Sequence, residues 1–160
     1  MNNEMFAKFN EMFGNLAQEI KEVGNAPTER KEVPFGNYEV RITKLELGTN
    51  QFEGDYYGMP EAHVWFKIIG DGEFGGQMLF MNRRLVSLTK PSANAFIIHN
   101  FNKFLESLET EVEVKFEDWE QYAEMIADMF REIDGKAEYQ LAYLEDAKGY
   151  KSYEIVKRFQ

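Results

Sequence analysis

The sequence predicts an α+β domain: a five-stranded antiparallel barrel with a helical insertion between strands three and four, preceded by an amphipathic helix. Three observations predict it. Five segments alternate apolar and polar residues at the period of a strand, three before residue 86 and two after residue 136. The first of these slips phase once, as a strand bent by one extra residue does. Between the third and the fourth, residues 92–134 change to helical periodicity.

Asn3 to Val23 reads as the first helix. Phe6, Phe9, Phe13, Leu16, Ile20 and Val23 recur at steps of three and four, a heptad seam that Gly14 weakens in its middle. Gly24 to Pro27 ends the helix, and Thr28 to Glu32 reads as a linker, so residues 1–33 form an appendage and 34–160 the domain. The seam has two equal ways to bury itself. It docks on its own domain, or Phe6, Phe9, Phe13, Leu16 and Ile20 pair with a second copy in a homo-oligomer.

Pro34-Phe-Gly36 opens the first strand. Tyr38, Val40 and Ile42 face one way, then Leu45 and Leu47 take over that phase, which places a β-bulge near Thr43–Lys44. Such a bend suits a closing barrel. The loop from Gly48 to Pro60 carries Phe52, Tyr56 and Tyr57. In the second strand, Glu61 to Ile69, Val64, Phe66 and Ile68 face inward and His63, Trp65 and Lys67 outward. After the turn Gly70–Gly76, the third strand, Gln77 to Leu85, puts Leu79 and Met81 inside and Phe80, Asn82 and Arg84 outside. An outer face that is partly apolar calls for a cover, such as a ligand.

Ile97, Phe101, Phe104, Leu105 and Leu108 make a helix after Pro91-Ser92, and Glu111 to Phe116 reads as a short strand-like link. Asp118, with Gln121 three residues on, caps a second helix lined by Trp119, Tyr122, Ile126, Met129, Phe130 and Ile133 and stopped at Gly135. Ala137 to Leu144 and Ser152 to Phe159 are the last strands, with Lys148-Gly-Tyr-Lys151 in their turn. This is the element order of the OB barrel. An α+β sheet with helices packed on one side shares the order; the bulge and the single helical region favour the barrel.

Charge then sorts the surfaces. The chain carries 28 acidic and 18 basic residues, a net −10 that argues at first against a nucleic-acid binder. Residues 91–135 alone hold eleven acids against three bases, whereas the segments 34–90 and 136–160 together are neutral. The outward strand positions mix cations and rings: Arg41 and Lys44, Trp65 and Lys67, Phe80 with Asn82 and Arg84, joined by Tyr57, Lys148, Tyr150 and Lys151 from the loops. Single-stranded nucleic acid asks for that mixture, since bases stack on rings and cations follow phosphates. The same face reads equally as the seat of the N-terminal helix. Glu120, Glu124, Asp128 and Glu132, four residues apart, form an acidic stripe that reads first as a solvated helix face. Its sharper reading is a protein-docking face or an imitation of a phosphate backbone.

Several chemistries lack their residues. There is no cysteine, hence no disulfide, thiolate zinc site or cysteine nucleophile. His63 and His99 share no ligand spacing, so neither a metal nor another cofactor is expected. The glycines of 70–76 lack the Lys-Ser/Thr of a P-loop, and no G-x-S-x-G occurs. No catalytic residue stands out, and the expectation is a binding protein rather than an enzyme. No apolar run reaches a membrane span, and the start lacks the pattern of a signal peptide, so a soluble intracellular protein is expected.

Five stretches carry a resemblance: Pro34 to Leu47, Phe66-Lys-Ile68, Gly75 to Asn82, Ile98 to Leu108 and Gly149 to Ile155. Together they resemble a small family of phages and prophages of Gram-positive bacteria, over about residues 34–160, with Ile98 to Leu108 the most distinctive piece. Members are described as single-stranded-DNA-binding proteins of the phage replication and recombination module. The resemblance implies an OB-type fold, single-stranded DNA as ligand, phage replication or recombination proteins as partners, and the cytoplasm of the bacterial host. On it, Trp65 and Phe80 would stack on bases with help from Tyr57 and Tyr150, and Arg41, Lys67, Arg84, Lys148 and Lys151 would meet phosphates.

Overall fold

Alternation and turn chemistry lay down five strands in one antiparallel sheet. The computed structural model describes residues 3–12, 14–22 and 31–159, in two units, Met1–Arg30 and Lys31–Gln160. In the first unit the expected single helix is two, α1 (Asn3–Met12) and α2 (Leu16–Glu22), parted by a turn at Gly14–Asn15. Glycine lowers helix propensity by about 1 kcal/mol, enough to let so short a helix break there. Phe6, Phe9, Leu16 and Ile20 are exposed. Phe13, Val23, the helix stop expected at 24–27 and residues 28–30 of the linker expected at 28–32 lie outside the described residues.

The second unit runs β1 (Gly36–Thr49), β2 (Pro60–Ile68), β3 (Met78–Arg84), a 3-10 turn (Pro91–Ala93), α3 (Asn94–Glu106), α4 (Trp119–Ile133), β4 (Glu138–Glu145) and β5 (Lys151–Phe159). The sheet order is β3-β2-β1-β4-β5, and every neighbouring pair is antiparallel. The register of β1 against β2 shifts between Ile42 and Lys44, where the phase slip in the sequence placed a bulge. The expected closed barrel is an open sheet here: no backbone ladder joins the edge strands β3 and β5 among the described residues. The sheet does curl, because the Tyr153 hydroxyl on β5 donates to the Phe80 carbonyl on β3 at 2.9 Å, one side chain spanning the gap.

Core and helices occupy the inner face. Val40, Ile42 and Leu45 of β1, Val64 and Phe66 of β2, and Leu79 and Met81 of β3 are buried against Phe101, Phe104 and Leu105 of α3 and Tyr122, Ile126 and Met129 of α4. Phe66 sits at the centre, stacked on Tyr153 at 5.7 Å and edge-on to Phe104 at 6.4 Å. Burying one such side chain contributes about 1.5–3 kcal/mol.

Asp118 caps α4 by accepting from the Gln121 N–H at 2.7 Å, and the Gln121 side chain accepts from the N–H of Glu117. Glu111 to Phe116 is not a strand. It is an extended segment held by side chains of α4: the Glu132 carboxylate accepts from the Glu111 N–H, and the Met125 sulfur from the Lys115 N–H. Tyr139 of β4 is buried, with its hydroxyl donating to the Leu108 carbonyl, and desolvation pushes that phenol up to about 12.

Candidate nucleic-acid interface

Strand register sets the outer face as a grid three strands wide. Arg41, Lys44, Glu46 and Gly48 of β1 stand opposite Lys67, Trp65, His63 and Glu61 of β2. These in turn stand opposite Met78, Phe80, Asn82 and Arg84 of β3. The bulge makes this possible, since without it Arg41 and Lys44 would lie on opposite faces.

The second row holds the aromatics. The Lys44 ammonium lies 4.5 Å from the centroid of the Trp65 ring. Trp65 and Phe80 meet edge to face at 5.3 Å, with their planes 89° apart. The third row is a clamp. Glu46 engages His63 Nδ1 at 3.1 Å and Glu61 engages Nε2 at 2.9 Å. Glu61 is only 4% exposed, and its second oxygen accepts from the Asn50 amide at 2.8 Å. The Asn50 side-chain oxygen Oδ1 accepts from the N–H of Phe52, which ties the β1–β2 loop to the clamp. Both ring nitrogens can donate only when the imidazole is protonated. Hydrogen bonding to Glu46, and then to Glu61, accordingly holds His63 above its ordinary pKa in spite of burial. Glu46 is held below the usual carboxylate range, first by that bond to His63 and also by Lys44, 3.5 Å away. Gly48 makes the room: a Cβ there would lie 2.8 Å from the His63 ring.

Two hollows open on this face. The first, about 310 Å³, is lined by Lys44, Trp65, Phe80 and Asn82 together with His63, Glu61, Gln51 and Phe52. The second, about 650 Å³, runs along the β3–β5 gap and takes in Phe80, Asn82, Arg84, Tyr150 and Lys151. Phe80 and Asn82 border both, so the hollows are neighbours at β3. Nine of the sequence-predicted residues therefore have a settled place: Arg41, Lys44, Trp65, Lys67, Phe80, Asn82 and Arg84 by register, with Tyr150 and Lys151 added by the second hollow and only Arg41 and Lys67 lining neither.

The remaining side chains are less concentrated. Arg41 pairs with Glu138 of β4 at 2.7 Å, and Arg84 lies over the Tyr56 ring at 4.1 Å. Tyr57 and Lys148 are exposed on their loops and line neither hollow. Asp146 shapes the β4–β5 turn by accepting the N–H groups of Lys148 and Tyr150, and leaves Tyr150 68% exposed.

The acidic stripe on α4 is partly engaged within the chain. Asp128 pairs with Arg131 and Glu132 holds Glu111, while Glu120 and Glu124 are exposed. Sequence reasoning missed Glu46, Glu61, Asn50 and Arg83. The first three come from different elements and meet only through register and a loop. Arg83 left a signal, a cation on the inward phase of β3 beside Leu79 and Met81. Among the described residues, no three His, Asp or Glu side chains gather to hold a metal, and no helix is long and apolar enough to cross a membrane. No protein-family model, curated protein or solved structure matches this chain.

Proposed function

We propose that this chain is a single-stranded-DNA-binding protein of OB type, encoded by a phage, that coats single strands without sequence preference during DNA replication or recombination. The observation that carries the reading is the Lys44–Trp65–Phe80 row, a cation and two rings side by side on the face of the second unit's sheet opposite α3 and α4. The row continues through the second hollow to Tyr150 and Lys151. OB domains bind through the face of strands two and three and the loops that follow strands one and four, and those are the elements gathered around this row. The sheet order β3-β2-β1-β4-β5, with its edges spanned by Tyr153, supports an OB barrel left open between β3 and β5. The stretches that resemble phage proteins support the biological setting.

The charge distribution is compatible with this ligand. DNA on the outer face meets neutral strand segments, while the acids of residues 91–135 belong to elements on the inner side. Titrating oligo(dT) into a Trp119→Phe variant tests the reading, since Trp65 is then the only tryptophan. Its emission is quenched as bases stack. The slope of log affinity against log salt is about −0.7 per phosphate contact. An unchanged emission together with no gel shift at low salt would sink the proposal.

A further inference from the structure

Arg83 occupies a place where a cation is costly. It follows Leu79 and Met81 on the inward phase of β3, opposite the fully buried Ala62 of β2. Its guanidinium lies 5.8 Å from the centre of the Phe101 ring of α3. Among the described residues it makes no ion pair and donates no hydrogen bond within the chain. Burial lowers its pKa from the ordinary arginine value. A guanidinium taken out of water without a counter-ion is unfavourable, and an entering anion would remove that penalty.

The space beside it is suited to an anion. A cleft of about 540 Å³ lies between β3, α3 and β5, within the size range of small-ligand sites. Arg83 and Lys103 are its two cations, and the Asn100 amide and Ser152 hydroxyl add neutral donors. The hydroxyls of Ser107 and Tyr153 already donate to the carbonyls of Phe104 and Phe80, so they bring no proton to a ligand. Glu154 is the one carboxylate of the lining, and it is exposed. Arg83 also borders the outer hollow that holds Arg84 and Lys151, so it stands where the two spaces meet.

We propose that Arg83 and Lys103 form a binding site for a phosphate group in the cleft between β3, α3 and β5. Arginine presents a planar fork of donors that matches two phosphate oxygens, and lysine adds a point charge. The cleft exceeds the volume of one phosphate, which suits a phosphate carried on a larger group: a nucleic-acid strand or a smaller phosphorylated molecule. The site adjoins the second hollow through Arg83, but the observations behind it do not rest on the single-strand reading.

The test uses the full chain in phosphate-free buffer, with inorganic phosphate titrated and followed by calorimetry and 31P line width. Arg83→Met weakens phosphate binding about tenfold to a hundredfold, the scale of a lost charged hydrogen bond. Methionine has similar length and no buried charge, so the variant retains the fold, which circular dichroism checks. Arg83→Lys falls between the two, and Lys103→Gln weakens binding independently of any folding effect at Arg83. Lys136→Gln, at an exposed lysine that lines neither the cleft nor either hollow, changes nothing. No phosphate binding by the wild type, or equal binding by wild type, Arg83→Met and Lys103→Gln, overturns the proposal.

Oligo(dT) with and without a 5′-phosphate then distinguishes the sources. A preference for the phosphorylated oligomer that vanishes in Arg83→Met assigns a terminal phosphate. Equal losses for both assign an internal phosphodiester. Loss of inorganic phosphate binding alone assigns a free phosphorylated molecule. The last result is compatible with failure of the single-strand reading, which the Trp65 titration decides separately.

Discussion

Two adjacent rows of the outer face are built from the same strands at neighbouring positions, yet they do opposite things with their charge. In the row Lys44–Trp65–Phe80, a cation rests on a ring and no carboxylate takes part in the aromatic contact. In the row Glu46–His63–Asn82, with Glu61 beside it, two carboxylates close on one imidazole and a loop amide closes on the buried carboxylate. The first row presents two rings edge to face with a cation on one of them, and that cation also reaches Glu46 at 3.5 Å; the second is a hydrogen-bonded clamp. Position on a strand decides where a side chain stands, whereas the neighbours brought by register decide whether it has anything left to offer a ligand.

The largest effect that tests this contrast comes from the aromatic row. Trp65→Ala costs about 1–3 kcal/mol of affinity for oligo(dT) and leaves folding stability nearly unchanged, as gel shift and urea unfolding together measure. A loss of stability with no change in affinity would reverse the roles of the two rows. Gly48→Ala acts on the clamp instead. The new methyl displaces the His63 ring and lowers stability by about 1–3 kcal/mol in urea. Combined with His63→Ala, the penalty is smaller than the sum of the two, because the ring is no longer there to be displaced.

pH sharpens the comparison further. The folded pKa of His63 is raised, so its contribution is complete below the ordinary value of 6.5 and is lost as pH rises through the raised value. The folded pKa of Glu46 is lowered, so its contribution is present above the ordinary value of 4.5 and is lost as pH falls through the lowered value. The advantage of wild type over His63→Gln therefore peaks between those ordinary values and declines on either side. Urea midpoints across a pH series measure it, and a flat difference would show that the clamp does not hold its proton. The smallest effect is at Arg41. Arg41→Gln opens an exposed pair with Glu138 and costs about 0.2–1 kcal/mol of stability, read from thermal melts.

Much of this arrangement is legible in the sequence because a strand has only two faces. The inward set Val64, Phe66, Ile68, Leu79 and Met81, the outward set Trp65, Phe80 and Asn82, and the shift at Thr43–Lys44 all follow from period two and one slip. The cap at Asp118 follows from local hydrogen bonding. Features that depend on meetings between distant segments were not legible. The open edge between β3 and β5 depends on how far the sheet curls. Glu111 to Phe116 has the alternation of a strand, but its apolar residues Val112 and Val114 pack on the core without strand partners. The clamp needed Asn50 from a loop, Glu46 from one strand and Glu61 with His63 from another, and nothing in their spacing announces the meeting.

The bulge in β1 behaves like a change of reading frame. Before Thr43 the odd-numbered residues, Glu39 and Arg41, belong to the outer surface; after it the even-numbered ones do, Lys44, Glu46 and Gly48. One strand thus carries two messages whose parities are independent. Adding or removing one residue at the bulge, between Ile42 and Lys44, would exchange Leu45 and Leu47 for Lys44, Glu46 and Gly48, scrambling the cation, the clamp and the core together. A change of two residues keeps parity and alters only which outer residue meets which. The downstream half of β1 therefore has length constraints in steps of two.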